Sequence, residues 1–296
     1  MGLCASRWIL ASFYLGTAAL WGALRPVLRH ILFGWLPALL LAACATVQTT
    51  HPGAVGIERK QRMLVSEEDV QKGAEAAYAQ EVQKAQGAGK LNQDPALTAR
   101  VRAIASRLIP VTAVFRADAP NWKWEVNTIT TDEVNAYAMP GGKIMVYSGL
   151  VRKLNVSDAE LAAVLGHEMS HALREHTRER VSKVYMQQLA LAGVAAVTGA
   201  DQAVLQLADQ VATVTFQLPH TREQESEADI MGLELMARAG YDPNAAVSLW
   251  QKMLATEKNA PPQFLSTHPS PPNRIATLKT RIRQVLPLYE AAREHQ

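Results

Sequence analysis

The chain has 296 residues, a formal net charge of +3 and 19% charged residues, the profile of a globular protein with one main domain. Its basic residues are scattered, apart from a solvated face around Lys279, Arg281 and Arg283, so no nucleic-acid partner is implied. No internal repeat of the helical-array kind is present.

Residues 1–44 read as a targeting leader. An apolar run from Trp8 to Leu24 is followed by Arg25 and Arg29, then by a second run from Ile31 to Ala43 that is short for a membrane span and suits a signal core. Leu41-Ala42-Ala43-Cys44 resembles a bacterial lipobox, which implies cleavage before Cys44, acylation of that residue and membrane attachment through the lipid. The first run is then surplus. Either translation starts downstream of Met1, or Trp8 to Leu24 is a transmembrane helix and Cys44 an unmodified thiol. On the lipoprotein reading the mature chain keeps no second cysteine, so packing alone must stabilise it even in an oxidising periplasm. Ala45 stands where an inner-membrane retention signal would place Asp, which by resemblance implies the periplasmic face of an outer membrane. Residues 45–65 are expected to form a tether and 66–296 the folded domain.

Ser66 opens a helix that runs towards Gly87, and Asp94-Pro95 starts another with Leu97, Val101, Ile104 and Leu108 at helical spacing. These two helices are expected to cover a sheet. Trp122 to Asn127 alternates apolar and polar residues, and Ala136 to Tyr147 supplies two short extended stretches around Pro140-Gly141-Gly142.

His167-Glu168-Met169-Ser170-His171 is an HExxH sequence. Residues four apart project from one helix face, so two imidazoles reach one metal ion with Glu168 beside them. Ser157 with Glu160 reads as a capping box, and Leu161, Val164, Leu165 and Ala172 supply an apolar stripe, which places the motif on a helix. Inward-facing imidazoles and a carboxylate are costly to desolvate unless something coordinates or pairs them. The chemistry this suits is amide hydrolysis, with Glu168 taking a proton from water that zinc acidifies to a pKa of about 7.

A catalytic zinc needs a third protein ligand and an open position. The extended metzincin pattern would need glycine at position 174 and histidine at position 177, where this chain has Arg174 and Thr177, with His176 one place out of register. The third ligand therefore comes from elsewhere. Arg222 to Asp229 opens a further helical run that ends near Ala239-Gly240, with Glu225 and Asp229 on one face. Two readings of its acids are open. Glu225 binds the metal while Asp229 accepts the second N–H of a ligand histidine, or the acids form a solvated first turn favoured by the helix dipole, the reading that suits Glu223 and Glu227.

HExxH followed by Arg222, Glu225-Ser226-Glu227-Ala228-Asp229 and Gly232 resembles the HtpX-like and CAAX-prenyl-endopeptidase family of zinc metallopeptidases. Asn135-Ala136-Tyr137-Ala138-Met139-Pro140-Gly141-Gly142 is similar to that family's Asn-Ala-Phe-Ala-x-Pro-Gly-Gly block, and Thr267-His268-Pro269 with Arg274-Ile275 to its late Thr-His-Pro element. These motifs stand in family order from Asn135 to Ile275. The resemblance implies an α+β, mainly helical zincin-like domain of gluzincin type, with a small β-sheet and an HExxH helix. It further implies one Zn2+ per chain held by His167, His171 and Glu225, with Glu168 as general base and Asp229 behind a ligand histidine. Asn135, Ala136, Tyr137 and Ala138 would be the strand that hydrogen-bonds an extended substrate, although by pattern alone they read as an ordinary hairpin.

The family usually carries an aromatic residue and Ser before the arginine, and this chain has His220-Thr221. His220 either contacts substrate or caps the following helix. Arg222 and His220 are the candidates for stabilising the oxyanion. His268 sits in a stiff Pro-rich loop, Ser266 to Pro272. In periplasmic relatives a histidine there can hold the fourth zinc position, which implies a gate; the alternative is a histidine that pins the C-terminal helix through Arg274. Tyr185 to Leu218 is apolar but interrupted by Asp201, Gln202, Gln206, Asp209 and Gln210, so helices over the cleft are expected there and not a membrane span. Asp242-Pro243 is expected to cap a helix through Leu254, and a last helix follows Pro272.

The expectation is a zinc endopeptidase that hydrolyses exposed or misfolded cell-envelope proteins, with outer-membrane assembly machinery as a candidate partner. The alternative is a latent protease acting mainly as an assembly chaperone or adaptor. A structural zinc is disfavoured, because such sites close with four Cys or His ligands and would leave Glu168 without a role.

Overall fold

The computed structural model describes residues 45–192, 200–256, 263–270 and 273–294. The leader and Cys44 lie outside the described residues. Thr46–Gln296 form one compact unit, so the stretch expected as a tether is part of it. Two short strands, β1 (Ala45–Val47) and β2 (Gln61–Met63), pair with each other. Between them the His51 N–H donates to the Phe115 carbonyl at 2.8 Å and the Val55 N–H to the Glu234 carboxylate at 3.1 Å. A polar stretch without periodicity reads as solvated. Here its polar groups are the docking groups: Thr50 and Gln61 are buried among charged partners.

Ser66 and Asp94 accept from the backbone N–H groups of Asp69 and Leu97, starting α1 (Glu67–Gly87) and α2 (Pro95–Val111). Three strands follow: β3 (Glu125–Ile129), β4 (Ala136–Met139) and β5 (Lys143–Tyr147), in the order β3-β5-β4. β3 runs parallel to β5, with Val126 opposite Ile144, and β4 is antiparallel to β5, with Ala138 opposite Ile144. Gly141 and Gly142, at φ 77° and 83°, make the hairpin between β4 and β5, a geometry that L side chains resist.

The alternation of the strands divides the core. Ala136, Ala138, Ile144 and Val146 face one cluster with Val101, Ile104 and Leu108 of α2. Tyr137, Met139 and Met145 face a second cluster with Val70, Ala74 and Tyr78 of α1, and the Tyr78 hydroxyl donates to the Ile144 carbonyl at 2.8 Å.

After α3 (Ser148–Leu154) comes the HExxH helix, α4 (Asp158–Leu173), buried from Glu160 to Leu173. Both halves of its capping box form. α5 (His176–Ala192) and α6 (Ala200–Phe216) follow, and α6 adds Leu207, Val211 and Val214 to the second cluster. α7 (Arg222–Arg238) starts at Thr221, whose side chain accepts from the Gln224 N–H. It crosses α4 where Gly166 meets Gly232: a Cβ on Gly232 would lie 2.9 Å from the His167 nitrogen. α8 (Ala245–Thr256), α9 (Gln263–Thr267) and α10 (Arg274–Glu294) complete the chain. α8 starts at Ala245, after a turn in which Asp242 accepts from the Asn244 N–H. Ser266 and Thr267, expected in a loop, close α9. The His268 N–H donates to the Phe264 carbonyl at 2.8 Å, continuing the helical pattern to the histidine. No helix among the described residues is long and apolar enough to cross a membrane. The architecture is the expected α+β, mainly helical one with small sheets.

Candidate metal centre and active site

Four side chains from three elements converge behind β4. α4 supplies His167 and His171, α7 supplies Glu225, and the residue after α9 is His268; all four are buried. His167 Nε2 lies 3.1 Å from His171 Nε2, 3.5 Å from Glu225 Oε2 and 3.3 Å from His268 Nδ1. Glu225 Oε1 lies 3.3 Å from His171 Nε2 and 3.0 Å from His268 Nδ1. Donors bound at about 2.0–2.1 Å in a tetrahedron stand about 3.3–3.4 Å apart, so these separations fit one small tetrahedral cation.

Glu168 sits beside the donors. Its Oε2 accepts from the Ala138 N–H of β4 at 3.2 Å, while Oε1 is buried, has no hydrogen-bond partner and lies 3.5 Å from His268 Nε2. Burial pushes the Glu168 carboxyl up from its ordinary value. Burial would raise Glu225 too, but His268, His171 and His167 around it hold it well below the carboxylate range. Burial drives His171 well below an ordinary imidazole, which keeps it in the neutral form that ligates. His268 goes the other way: burial would lower it, and the facing Glu168 and Glu225 carboxylates outweigh that.

The ring nitrogens pointing away from the centre are also held. His167 Nδ1 is 3.0 Å from Asp229 Oδ1. Arg274 binds Asp229 through Nε at 2.6 Å and Nη2 at 2.8 Å, reaches Glu225 through Nη2 at 2.9 Å, and lies over the Trp250 ring. His171 Nδ1 is 2.8 Å from His176 Nδ1, and His176 Nε2 is 2.9 Å from Glu227 Oε2. Glu175, at φ 52°, turns the chain between α4 and α5 so that His176 faces back, and Arg116 and Arg178 bind its carboxylate at 2.8 and 2.6 Å.

Three sequence expectations need correction. Glu227 is not a solvated first-turn acid: it is buried against His176, Arg174 and Arg59. Arg222 is exposed at the first position of α7 and makes no hydrogen bond or ion pair with the described residues of the site. His220 does not cap α7, since Thr221 does. His220 instead packs on His171, with ring centres 3.9 Å apart, and its backbone N–H donates to the Thr267 carbonyl at 2.9 Å. Arg180 donates to the His220 ring.

A cleft of about 490 Å³ opens in front of Glu168, His171 and His268. Asn135, Ala136, Tyr137 and Ala138 form one wall, and Asp209, Ala212 and Phe216 of α6 stand opposite. β4 is an edge strand of its sheet. The Tyr137 ring turns into the second core cluster against Tyr147 and Phe216, and its buried hydroxyl has no hydrogen-bond partner.

Residues 95–282 match the model of peptidase family M48, a span that holds every one of the converging side chains. The chain belongs to peptidase family M48. The match bears out the resemblance carried by the four sequence motifs, and this family member is a metalloendopeptidase. It is 32% identical over 277 residues to the mitochondrial metalloendopeptidase OMA1 of Schizosaccharomyces pombe, covering 91% of this chain and 77% of that protein. It is 38% identical over 159 residues to the OMA1 of Arabidopsis thaliana, covering 52% of this chain and 31% of that protein. It is 30% identical over 223 residues to the beta-barrel assembly-enhancing protease of Escherichia coli, covering 72% of this chain and 44% of that relative.

His176, Glu227 and Arg274 were not assigned to the metal site from sequence. Glu227 and Arg274 act across 51 and 45 residues, whereas His176 lies five residues from His171 and is the one local signal, a polar residue set against HExxH.

Proposed function

We propose that the chain is a zinc endopeptidase in which His167, His171 and Glu225 are the ligands and Glu168 is the general base. The observation that carries this reading is the set of donor separations of 3.0–3.5 Å with the unpaired Glu168 Oε1 alongside. Bound there, zinc supplies Lewis acidity, polarising the scissile carbonyl and acidifying water. Glu168 Oε1 takes the proton of the attacking water and returns it to the leaving amine nitrogen, while the Ala138 N–H holds Oε2 and fixes the direction of the base. The edge of β4 from Asn135 to Ala138 pairs with an extended substrate backbone across the cleft. His220, stacked at the cleft wall, is the candidate donor to the oxyanion; Arg222 does not line the cleft. Asp229 and Arg274 keep His167 and Glu225 oriented.

His268 Nδ1 belongs to the same donor set, which supports a gated, latent enzyme. With four protein donors no position is open to substrate, so His268 must withdraw for catalysis. His268→Ala is expected to raise peptidase activity; an unfolded or unchanged enzyme sinks the gate.

The substrates proposed are exposed or misassembled envelope proteins, reached from the periplasmic face of an outer membrane through a lipid on Cys44. The Leu41 to Cys44 motif and the assembly role named for the Escherichia coli relative support this setting. Cys44→Ser is expected to move the protein from the membrane to the soluble fraction.

The deciding experiment is hydrolysis of an unfolded protein by the full-length chain, comparing wild type with Glu168→Gln and assaying metal content. Chelator-sensitive cleavage by wild type alone, with one zinc in each, is expected. Zinc in both and cleavage in neither would favour the latent or chaperone reading.

A further inference from the structure

The outer support of His171 does not end at His176 and Glu227. Glu227 accepts from Arg59 at 2.9 Å through both Nε and Nη2, and from Arg174 Nη2 at 3.0 Å. Arg59 also grips Glu179 of α5, with Nη2 2.9 Å from Oε2, and Gln61 and Gln224 donate to that same oxygen at 3.1 and 2.8 Å. The Gln61 amide donates to the Arg174 carbonyl at 2.7 Å, closing the C-terminus of the HExxH helix, and Arg174 Nη2 returns a bond to the Arg59 carbonyl at 2.8 Å. One short stretch, Arg59 to Gln61, therefore joins the end of α4, the start of α5 and the start of α7. Those three places carry or adjoin His171, His176 and Glu225.

Arg59 lies outside the residues that match the family. Its fork suits the task, because one planar guanidinium makes paired hydrogen bonds to two carboxylates on different helices at once, which the three donors of an ammonium cannot. We infer that Arg59 is a positioning residue for the metal centre, acting on His171 through Glu227 and His176. This rests on reading His171 as a ligand. Residues 46–63 then act as a strap that completes the outer shell of the site.

The test is zinc affinity of the full-length chain, by competition with a chromophoric chelator, for wild type, Arg59→Ala, Glu227→Gln and the double variant. The absorption bands of the cobalt-substituted protein serve as a second readout of ligand geometry. Outer partners of ligand histidines typically contribute 10–100-fold in affinity, so Arg59→Ala, one step further out, is expected to weaken zinc by about 10-fold and to shift the cobalt bands. The double variant is expected to bind no more weakly than Glu227→Gln alone, because both lie on one path. A clasp that only holds the fold would lower the melting temperature and leave affinity and spectrum unchanged. That result, or additive losses in the double variant, overturns the role of Arg59 while leaving the metal site intact. Failure of wild type to bind zinc overturns the reading beneath it. If Arg59→Ala does not fold, Arg59→Lys is measured by the same criteria, and affinity and spectrum equal to wild type overturn the inference.

Discussion

His171 and His176 face each other Nδ1 to Nδ1 at 2.8 Å, and only one proton arrangement lets His171 ligate through Nε2. The His171 Nδ1–H donates to His176 Nδ1, and the His176 Nε2–H then donates to the Glu227 carboxylate 2.9 Å away. His167 has a shorter arrangement, its Nδ1–H donating directly to Asp229. The two histidines of HExxH are oriented by different means, one by a carboxylate and one by a histidine–carboxylate relay.

His176→Ala leaves the His171 ring without the partner that selects its tautomer. Zinc affinity is expected to fall by about 10–100-fold with the fold retained. Chelator competition measures it, and an affinity equal to wild type would remove the tautomer argument.

Glu160 offers a pH test away from the metal. Burial alone would raise its carboxyl, but the Lys252 ammonium at 2.7 Å, the Ser157 N–H and the Ser248 hydroxyl hold it below the ordinary value. A carboxyl lowered on folding contributes stability that is complete above its unfolded pKa of about 4.3 and is lost as pH falls through the folded value. Glu160→Gln is expected to cost about 1 kcal/mol at pH 7, the scale of a helix cap. The difference from wild type should shrink below the unfolded value. Urea midpoints at descending pH read this directly, and a gap that stays constant in acid would show that Glu160 acts by shape and not by charge.

The helix starts at Ser66, Asp94 and Ser157 were legible because a capping residue announces itself within four positions. The HExxH pair was legible for the same local reason. Glu225 needed the family resemblance, since spacing alone left it indistinguishable from a solvated acid. Glu227, two residues on, looks solvated in sequence because its partners Arg59, Arg174 and His176 are 168, 53 and 51 residues away. The strap looks like a tether for a related reason: a polar stretch signals exposure unless its partners are known.

Arg274 holds two buried carboxylates at once, Asp229 through two nitrogens and Glu225 through one of them. Removing it takes the one permanent cation from both carboxylates and leaves them only histidine partners, so Arg274→Ala is expected to cost about 3 kcal/mol in urea unfolding. Arg274→Lys restores the charge without the fork and should recover only part of that loss. Full recovery by lysine would show that charge alone matters here.

Gly232 sets how closely the two helices that carry the candidate metal donors approach. A Cβ there would stand 2.9 Å from the His167 nitrogen and 3.0 Å from the Gly166 carbonyl carbon, both backbone atoms that cannot rotate aside. Gly232→Ala must therefore move α7 away from α4, and overpacking of this kind costs about 1–3 kcal/mol. The same displacement carries Glu225 away from His167 and His171, so zinc affinity should fall together with stability. A variant that loses stability while binding zinc as tightly as wild type would show that the site adjusts independently of the helix crossing. Parallel thermal melts and chelator titrations on one preparation distinguish the two.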